Sequence, residues 1–261
     1  MTTTMPVRAA VHFPPRTAFR ELMRTEWLLV LRQRNGLIVG IGLPVVLMLI
    51  FGIIPDFRKP ETVLGGLTYL DIYLPVLVAM SMNNLGMFGL PPVLASYRET
   101  GILRRLSTTP LPPSWVLAAQ LVINFCEAMV SIVLVVLLGV IAFGLRAPQN
   151  AGAFVLAVLL TVAALFSLGL WIAAIARTGK QASLISSAFF YPLLFFAGLW
   201  VPQQVMPGSL RAISDYTPLG ASVEALYNAN EGHFPPASSL LVLAGYAAVF
   251  AVLAVRSFKW E

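Results

Sequence analysis

An all-α membrane protein of six spans is the fold class this sequence predicts, and three observations predict it. Of 261 residues, 58% are hydrophobic and only 11% charged, where a soluble domain carries about 25% charged residues. With a mean hydropathy of +0.84, such a chain lacks the polar residues to cover itself in water, and the bilayer is its solvent. Apolar runs of spanning length recur six times, at 36–54, 72–94, 115–145, 151–176, 184–201 and 238–255. Finally, a cytoplasmic N-terminus puts thirteen lysines and arginines in inside segments and four (Arg58, Lys59, Arg146 and Arg211) outside. That asymmetry orients an even number of spans with both termini in the cytoplasm of a cell membrane.

Residues 1–35 form a cytoplasmic N-terminus, and 36–261 one membrane domain. Within the former, residues 14–35 read as an amphipathic helix on the inner leaflet. Phe19, Leu22, Met23 and Val30 fall on one face, Arg16, Arg20 and Arg24 on another, and Glu26 interrupts the apolar side. Such a helix contacts membrane lipids and is placed to brace a docking surface beside it. The run from Gly36 is closed by Pro55-Asp56 and followed by no small-residue cleavage site, so it is expected to stay as the first span. Asp71 opens the second span as a helix cap or a partner for Arg58, Lys59 or Arg146. Pro91-Pro92 should kink or stop that span. Asn83 and Asn84 interrupt it near Gly86 and Gly89, marking either a cavity-lining stretch or close helix packing.

The third span carries a pattern of its own. Gln120, Asn124, Glu127 and Ser131 recur at intervals of four, three and four, which stacks them on one helix face. Glu127 lies about 18 Å along the helix from Trp115 at 1.5 Å per residue, near mid-membrane. A carboxylate there must face protein or water. Two roles are open to the stripe: a route for a cationic or polar substrate, with Asn83 and Asn84 beside it, or a hydrogen-bonded helix–helix seam.

Several chemistries are excluded or disfavoured. The net charge of +6 follows membrane topology rather than a nucleic-acid footprint. Gly179-Lys180-Gln181 lacks the upstream glycine and the hydroxyl of a phosphate-binding loop, so this chain holds no nucleotide site. Cys126 is the single cysteine, and His12 and His233 are too few and scattered for a metal site. Ser222 within Gly220-Ala221-Ser222-Val223, with His233 downstream, is a faint hydrolase signature without a rigid frame. The chain is therefore read as no enzyme.

Between the second and third spans lies Ser96-Tyr97-Arg98-Glu99-Thr100-Gly101-Ile102-Leu103-Arg104-Arg105-Leu106-Ser107-Thr108-Thr109-Pro110-Leu111. Its residues 97–107 read as a short basic helix with Ile102, Leu103 and Leu106 among the charges, suited to a protein groove. After the fifth span come Gly198, Pro202, Met206-Pro207, Leu210, Ile213, Pro218-Leu219, Ala225 and Leu226. Glycine and proline there break the helix, which fits a re-entrant hairpin at membrane depth and equally a plain extracellular loop with a short surface helix.

Both stretches, in this order and on a six-span layout, resemble the permeases of ABC-2 type transporters. That resemblance implies a coupling helix in which Arg98, Glu99, Thr100, Gly101, Leu103, Arg104, Arg105 and Leu106 dock a separate ABC ATPase subunit, present in two copies. It implies a re-entrant segment containing Pro202, Met206, Pro207, Pro218 and Leu219. It further implies a second permease, identical or related, ATP and Mg bound by the partner ATPase with no cofactor in this chain, and export of amphipathic drugs, lipids or glycolipids, or polyketide-like metabolites. The competing reading is a stand-alone secondary transporter built on Glu127, although no internal repeat supports it.

Overall fold

The computed structural model describes residues 15–32, 38–61, 66–102 and 114–257, and every regular element among them is helical. The amphipathic helix forms as α1 (Pro15–Arg32). The first apolar run folds as a π turn (Ile38–Gly42) followed by α2 (Leu43–Ile53). The second run becomes α3 (Tyr69–Asn84), a π turn (Leu85–Gly89) and α4 (Leu90–Glu99). The third is α5 (Ser114–Leu137), which ends in a further π turn (Leu138–Ala142). Then come α6 (Ala151–Ile175), α7 (Gly179–Phe196), α8 (Gly208–Asp215), α9 (Pro218–Asn230) and α10 (Ala237–Ser257).

Helices occupy all six predicted apolar runs, and among the described residues four are long and apolar enough to cross a membrane: Tyr69–Glu99, Ser114–Ala142, Ala151–Ile175 and Ala237–Ser257. The first run is a shorter helix, Gly40–Ile53. The fifth starts earlier than predicted, at Gly179, because Thr178 caps it through the backbone N–H of Gln181. It also ends earlier, at Phe196, because Gly198 takes a φ of 93° that only glycine adopts freely. The third run likewise closes before its predicted end, at Gly144 with a φ of 70°.

α3 is the hub. All its residues from Leu70 to Asn84 except Asp71 are buried, as a helix apolar all round should be when neighbours surround it. It packs against α2, α5, α6 and α9. Thr68 and Asp71 start it with a reciprocal capping box, so Asp71 is a cap, while Lys59 pairs with Asp56 at 2.7 Å. Pro91-Pro92 neither stops nor breaks the second span. The prolines lie in the first turn of α4, where their missing N–H groups are not needed, and the wide π turn before them absorbs the change in pitch. Close approach at this level depends on glycine. A Cβ on Gly169 of α6 would overlap the Gly86 carbonyl oxygen, and one on Gly89 would overlap Asn124 Oδ1. α10 is largely unburied within the chain and presents Leu241, Val249, Val252 and Val255 outward.

Candidate functional site

Two ends of the bundle can be told apart. One gathers the C-termini of α4 and α6 and the N-termini of α5 and α7. The other gathers the N-termini of α3, α6 and α10 and the C-terminus of α9, where Asn150 and Gln149 donate backbone hydrogen bonds to Ala229 and Asn230.

At the first end, Arg98 and Glu99 close α4 by gripping the α6–α7 turn. The Arg98 guanidinium donates to the carbonyls of Ala173 and Ala174, each at 3.2 Å, and of Ala176. Those are the last, otherwise unpaired acceptors of α6. The Glu99 carboxylate accepts from the backbone N–H of Gly179 at 3.0 Å, at the start of α7. A cation at a helix C-terminus and an anion at a helix N-terminus both follow the helix dipoles. These two residues are among those expected on a partner-docking surface; within the chain they fasten α4 to α6 and α7, and Glu99 remains exposed. Thr100 bonds back to the Ser96 carbonyl, and Gly101 with φ 71° ends the helix, so Tyr97–Glu99 belong to α4 rather than to one continuous helix over 97–107. Leu103, Arg104, Arg105 and Leu106 lie outside the described residues.

The same end explains Glu26. Its carboxylate, only 6% exposed, accepts from Tyr97 Oη at 2.8 Å and Gln120 Nε2 at 2.7 Å. The apparent flaw in the apolar face of α1 therefore pins α1 to α4 and α5. Burial pushes the Glu26 carboxyl above its ordinary value of 4.5, opposed by the two hydrogen bonds. Phe19 packs edge-on against Trp115, with centroids 5.4 Å apart, and secures the other half of α1. Trp27, Leu28 and Leu31 remain exposed on α1, consistent with a helix lying on a membrane.

The stripe on α5 is buried at all four positions and faces the α3–α4 segment. Ser131 donates to Ser81 Oγ at 2.9 Å, Asn124 sits against Gly89, and Gln120 reaches Glu26. Three members are thus rungs of a helix–helix seam. Glu127, 6% exposed, has no hydrogen-bond or ion-pair partner among the described residues. Asn83 on α3 is fully buried with both amide atoms unpartnered, whereas Asn84 is engaged.

At the other end, the break after α7 is a knot built on Gln203, a residue the sequence reading passed over. Its Nε2 donates to the Phe196 carbonyl at 3.0 Å, Ser214 Oγ at 2.8 Å and the Gly220 carbonyl at 3.3 Å. Ser214 Oγ also donates to Phe196 at 2.6 Å. These bonds satisfy backbone exposed where α7, α8 and α9 stop and start, the condition for irregular backbone at membrane depth. Pro202 and Met206 are buried in the same turn, Pro207 is exposed just before α8, and Pro218 and Leu219 are buried at the start of α9. Ser222 shares a 2.7 Å hydrogen bond with Thr161 of α6 and is fully buried, while His233 is exposed beyond α9. The hydrolase pairing is not assembled.

A helical bundle with four membrane-length helices among the described residues, irregular backbone sealed within it and helix ends clipped together is that of an integral membrane protein. The match to the ABC-2 type transporter family covers residues 17–229, and the chain belongs to that family as a transport subunit that is not itself catalytic. It is similar to the daunorubicin resistance ABC transporter permease protein DrrB1 of Streptomyces coeruleorubidus, at 28% identity over 198 residues, 73% of this chain and 69% of that protein.

Proposed function

We propose that this chain is the permease subunit of an exporter that moves amphipathic compounds, drugs first among them, out of the cytoplasm or inner leaflet, driven by a separate ATPase. Lipids or glycolipids and polyketide-like metabolites belong to the same cargo class. In this reading it crosses the cell membrane six times with both termini cytoplasmic, α2 and α7 supplying the first and fifth crossings. It pairs with a second permease, identical or related, above two ATPase subunits that bind ATP and Mg.

The observation that carries the reading is the grip of Arg98 and Glu99 on the α6–α7 turn. The 96–111 segment is where the family resemblance puts the ATPase contact, through Arg98, Glu99, Thr100, Gly101, Leu103, Arg104, Arg105 and Leu106. A displacement of that segment cannot leave α6 and α7 behind, because their ends are bonded to its first residues. Glu26 adds α1 and α5 to the same moving unit through Tyr97 and Gln120. Export then follows as a tilt of clipped helices around α3. The relative's name supports drug cargo, and Glu127 supplies a carboxylate that would favour cationic members of the class.

The test is purification of the tagged chain in mild detergent, with identification of co-purifying chains and an ATPase assay. A stoichiometric ATPase that is lost with Arg104→Glu and Arg105→Glu supports the reading. A homogeneous protein with no ATPase supports the secondary transporter instead.

A further inference from the structure

A second polar feature at the α9–α10 end plays no part in coupling. A cavity of about 270 Å³ lies between the re-entrant turn and α9, lined by Gln203, Gln204, Arg211, Glu224, Tyr227 and Asn228 and closed by Pro236. Arg211 and Glu224 share it without forming an ion pair, both staying beyond salt-bridge distance. Each is held in place by one bond and keeps capacity to spare. Arg211 Nη1 donates to the Gln203 carbonyl at 3.2 Å, which leaves Nε and Nη2 without a partner among the described residues. Glu224 Oε2 accepts from Ser239 Oγ at 2.6 Å, which leaves Oε1 open. Opposite charges held apart in one cavity suit a ligand that carries both signs.

Size and surroundings narrow that ligand. Drug-sized ligands occupy about 300–1,000 Å³, so this cavity fits a headgroup rather than a whole amphiphile. An apolar groove runs along α10 through Leu241, Val242, Gly245, Tyr246, Val249 and Phe250, with Tyr216 at its edge. It begins five residues after Pro236 and extends about 13 Å at 1.5 Å per residue, room for the upper part of an acyl chain. Arg211 and Tyr216 tie α8 and the turn after it to both features, as Pro236 and Leu241 tie the start of α10.

We propose that the cavity binds the headgroup of an ethanolamine phospholipid, phosphate on Arg211 and ammonium on Glu224, with an acyl chain along α10. The arginine fork matches a phosphate. The open carboxylate oxygen, with Tyr227 and Asn228 beside it, offers acceptors to an ammonium that has N–H groups; a choline has none to give. The bound lipid would stiffen the re-entrant turn through Arg211 and Gln203. This is independent of cargo and of the ATPase.

Native mass spectrometry of the complex as purified from membranes tests it, with titration of ethanolamine, choline and glycerol phospholipids of identical acyl chains. The wild type is expected to retain the ethanolamine lipid at about tenfold lower concentration than the choline lipid, the worth of one charge-assisted hydrogen bond. Glu224→Gln, which keeps an acceptor for Ser239, abolishes that preference, lowering retention of the ethanolamine lipid more than that of the choline lipid, which loses only the charge attraction. Arg211→Gln weakens both about tenfold. Equal retention of all three classes by the wild type overturns the proposal, as does strongest retention of the anionic glycerol lipid. The comparison of lipid classes on wild type decides the matter even where a variant fails to fold.

Discussion

Arg98→Ala removes three hydrogen bonds from a charged donor to the last carbonyls of α6 and a cation from that helix's C-terminus. Bonds to a charged group are worth ~1.5–3 kcal/mol and the dipole a further ~0.3–1, but the site is half-buried and water replaces part of both, so a net loss of about 2–3 kcal/mol is expected. For a chain of this size that lowers Tm by roughly 4–12 °C. Arg98→Lys keeps the charge without the fork that spans several carbonyls, and should recover about half of the loss. Glu99→Gln keeps an acceptor for the Gly179 N–H but removes a charge from the α7 N-terminus, at about 0.3–1 kcal/mol. Since the two residues are neighbours gripping one turn, their effects should not simply add, and a double-mutant cycle measures the coupling. The assay is thermal unfolding of the purified complex followed by tryptophan fluorescence, with ATP hydrolysis and vesicle transport in parallel. The clip predicts that Arg98→Ala hydrolyses ATP but transports poorly. Unfolding within 1 °C of wild type, with transport intact, would refute the assignment of Arg98 to the α6 terminus.

Four further outcomes follow from the packing. Gly169→Ala places a methyl on the Gly86 carbonyl, backbone against backbone, and should cost about 1–3 kcal/mol in thermal or denaturant unfolding. Gln203→Ala removes its bonds to the Phe196 carbonyl, the Gly220 carbonyl and Ser214 Oγ, leaving Phe196 to Ser214 alone, and should cost about 1–3 kcal/mol, and Gln203→Glu should fail likewise because a carboxylate cannot donate. Glu127→Gln should lower export of a cationic amphiphile and spare its neutral congener; equal effects on the two remove charge from its role. Because burial raises the Glu26 pKa above 4.5, the docked state binds a proton more tightly than the undocked one. Docking of α1 is then strongest below pH 4.5 and weakens as pH rises through the raised value, so hydrogen-exchange protection of residues 19–32 should fall as pH rises above 4.5 in wild type and stay level in Glu26→Gln.

What could be read in the sequence is what repeats along a helix. Apolar runs located every long helix, and the four-three-four spacing on α5 put Gln120, Asn124, Glu127 and Ser131 on one buried face. Local caps were legible too, as at Asp71. What escaped depends on partners far away in the chain. Nothing near Arg98 announces that its acceptors are backbone carbonyls of residues 173–176, because a carbonyl has no sequence signature. Glu26 looked like an error in an amphipathic pattern because the periodicity argument scores each residue against lipid and water alone. Its partners, Tyr97 and Gln120, are on two other helices. The paired prolines do not stop the helix because they fall in the first turn of α4, directly after the π turn over 85–89, a placement that the proline pair does not announce in the sequence.

The polar seam has a graded structure that bears on how the bundle opens. Gln120, Asn124 and Ser131 each meet a partner across or along the seam, at Glu26, beside Gly89 and at Ser81. α3 and α5 run antiparallel, so the rungs at Ser81–Ser131 and Gly89–Asn124 place Glu127 opposite the π turn between them. That is the level where α3 gives way to α4, where glycine backbones of the π turn and α6 touch, and where the one stripe residue without a partner sits. The seam is hydrogen-bonded at Ser81–Ser131 and at Gln120–Glu26, while Glu127 between them has no hydrogen-bond partner among the described residues, so parting the helices at that level breaks no hydrogen bond of Glu127. A tilt imposed at Arg98 would therefore meet least resistance at Glu127, the level at which a carboxylate brought into contact with water or a cation gains most.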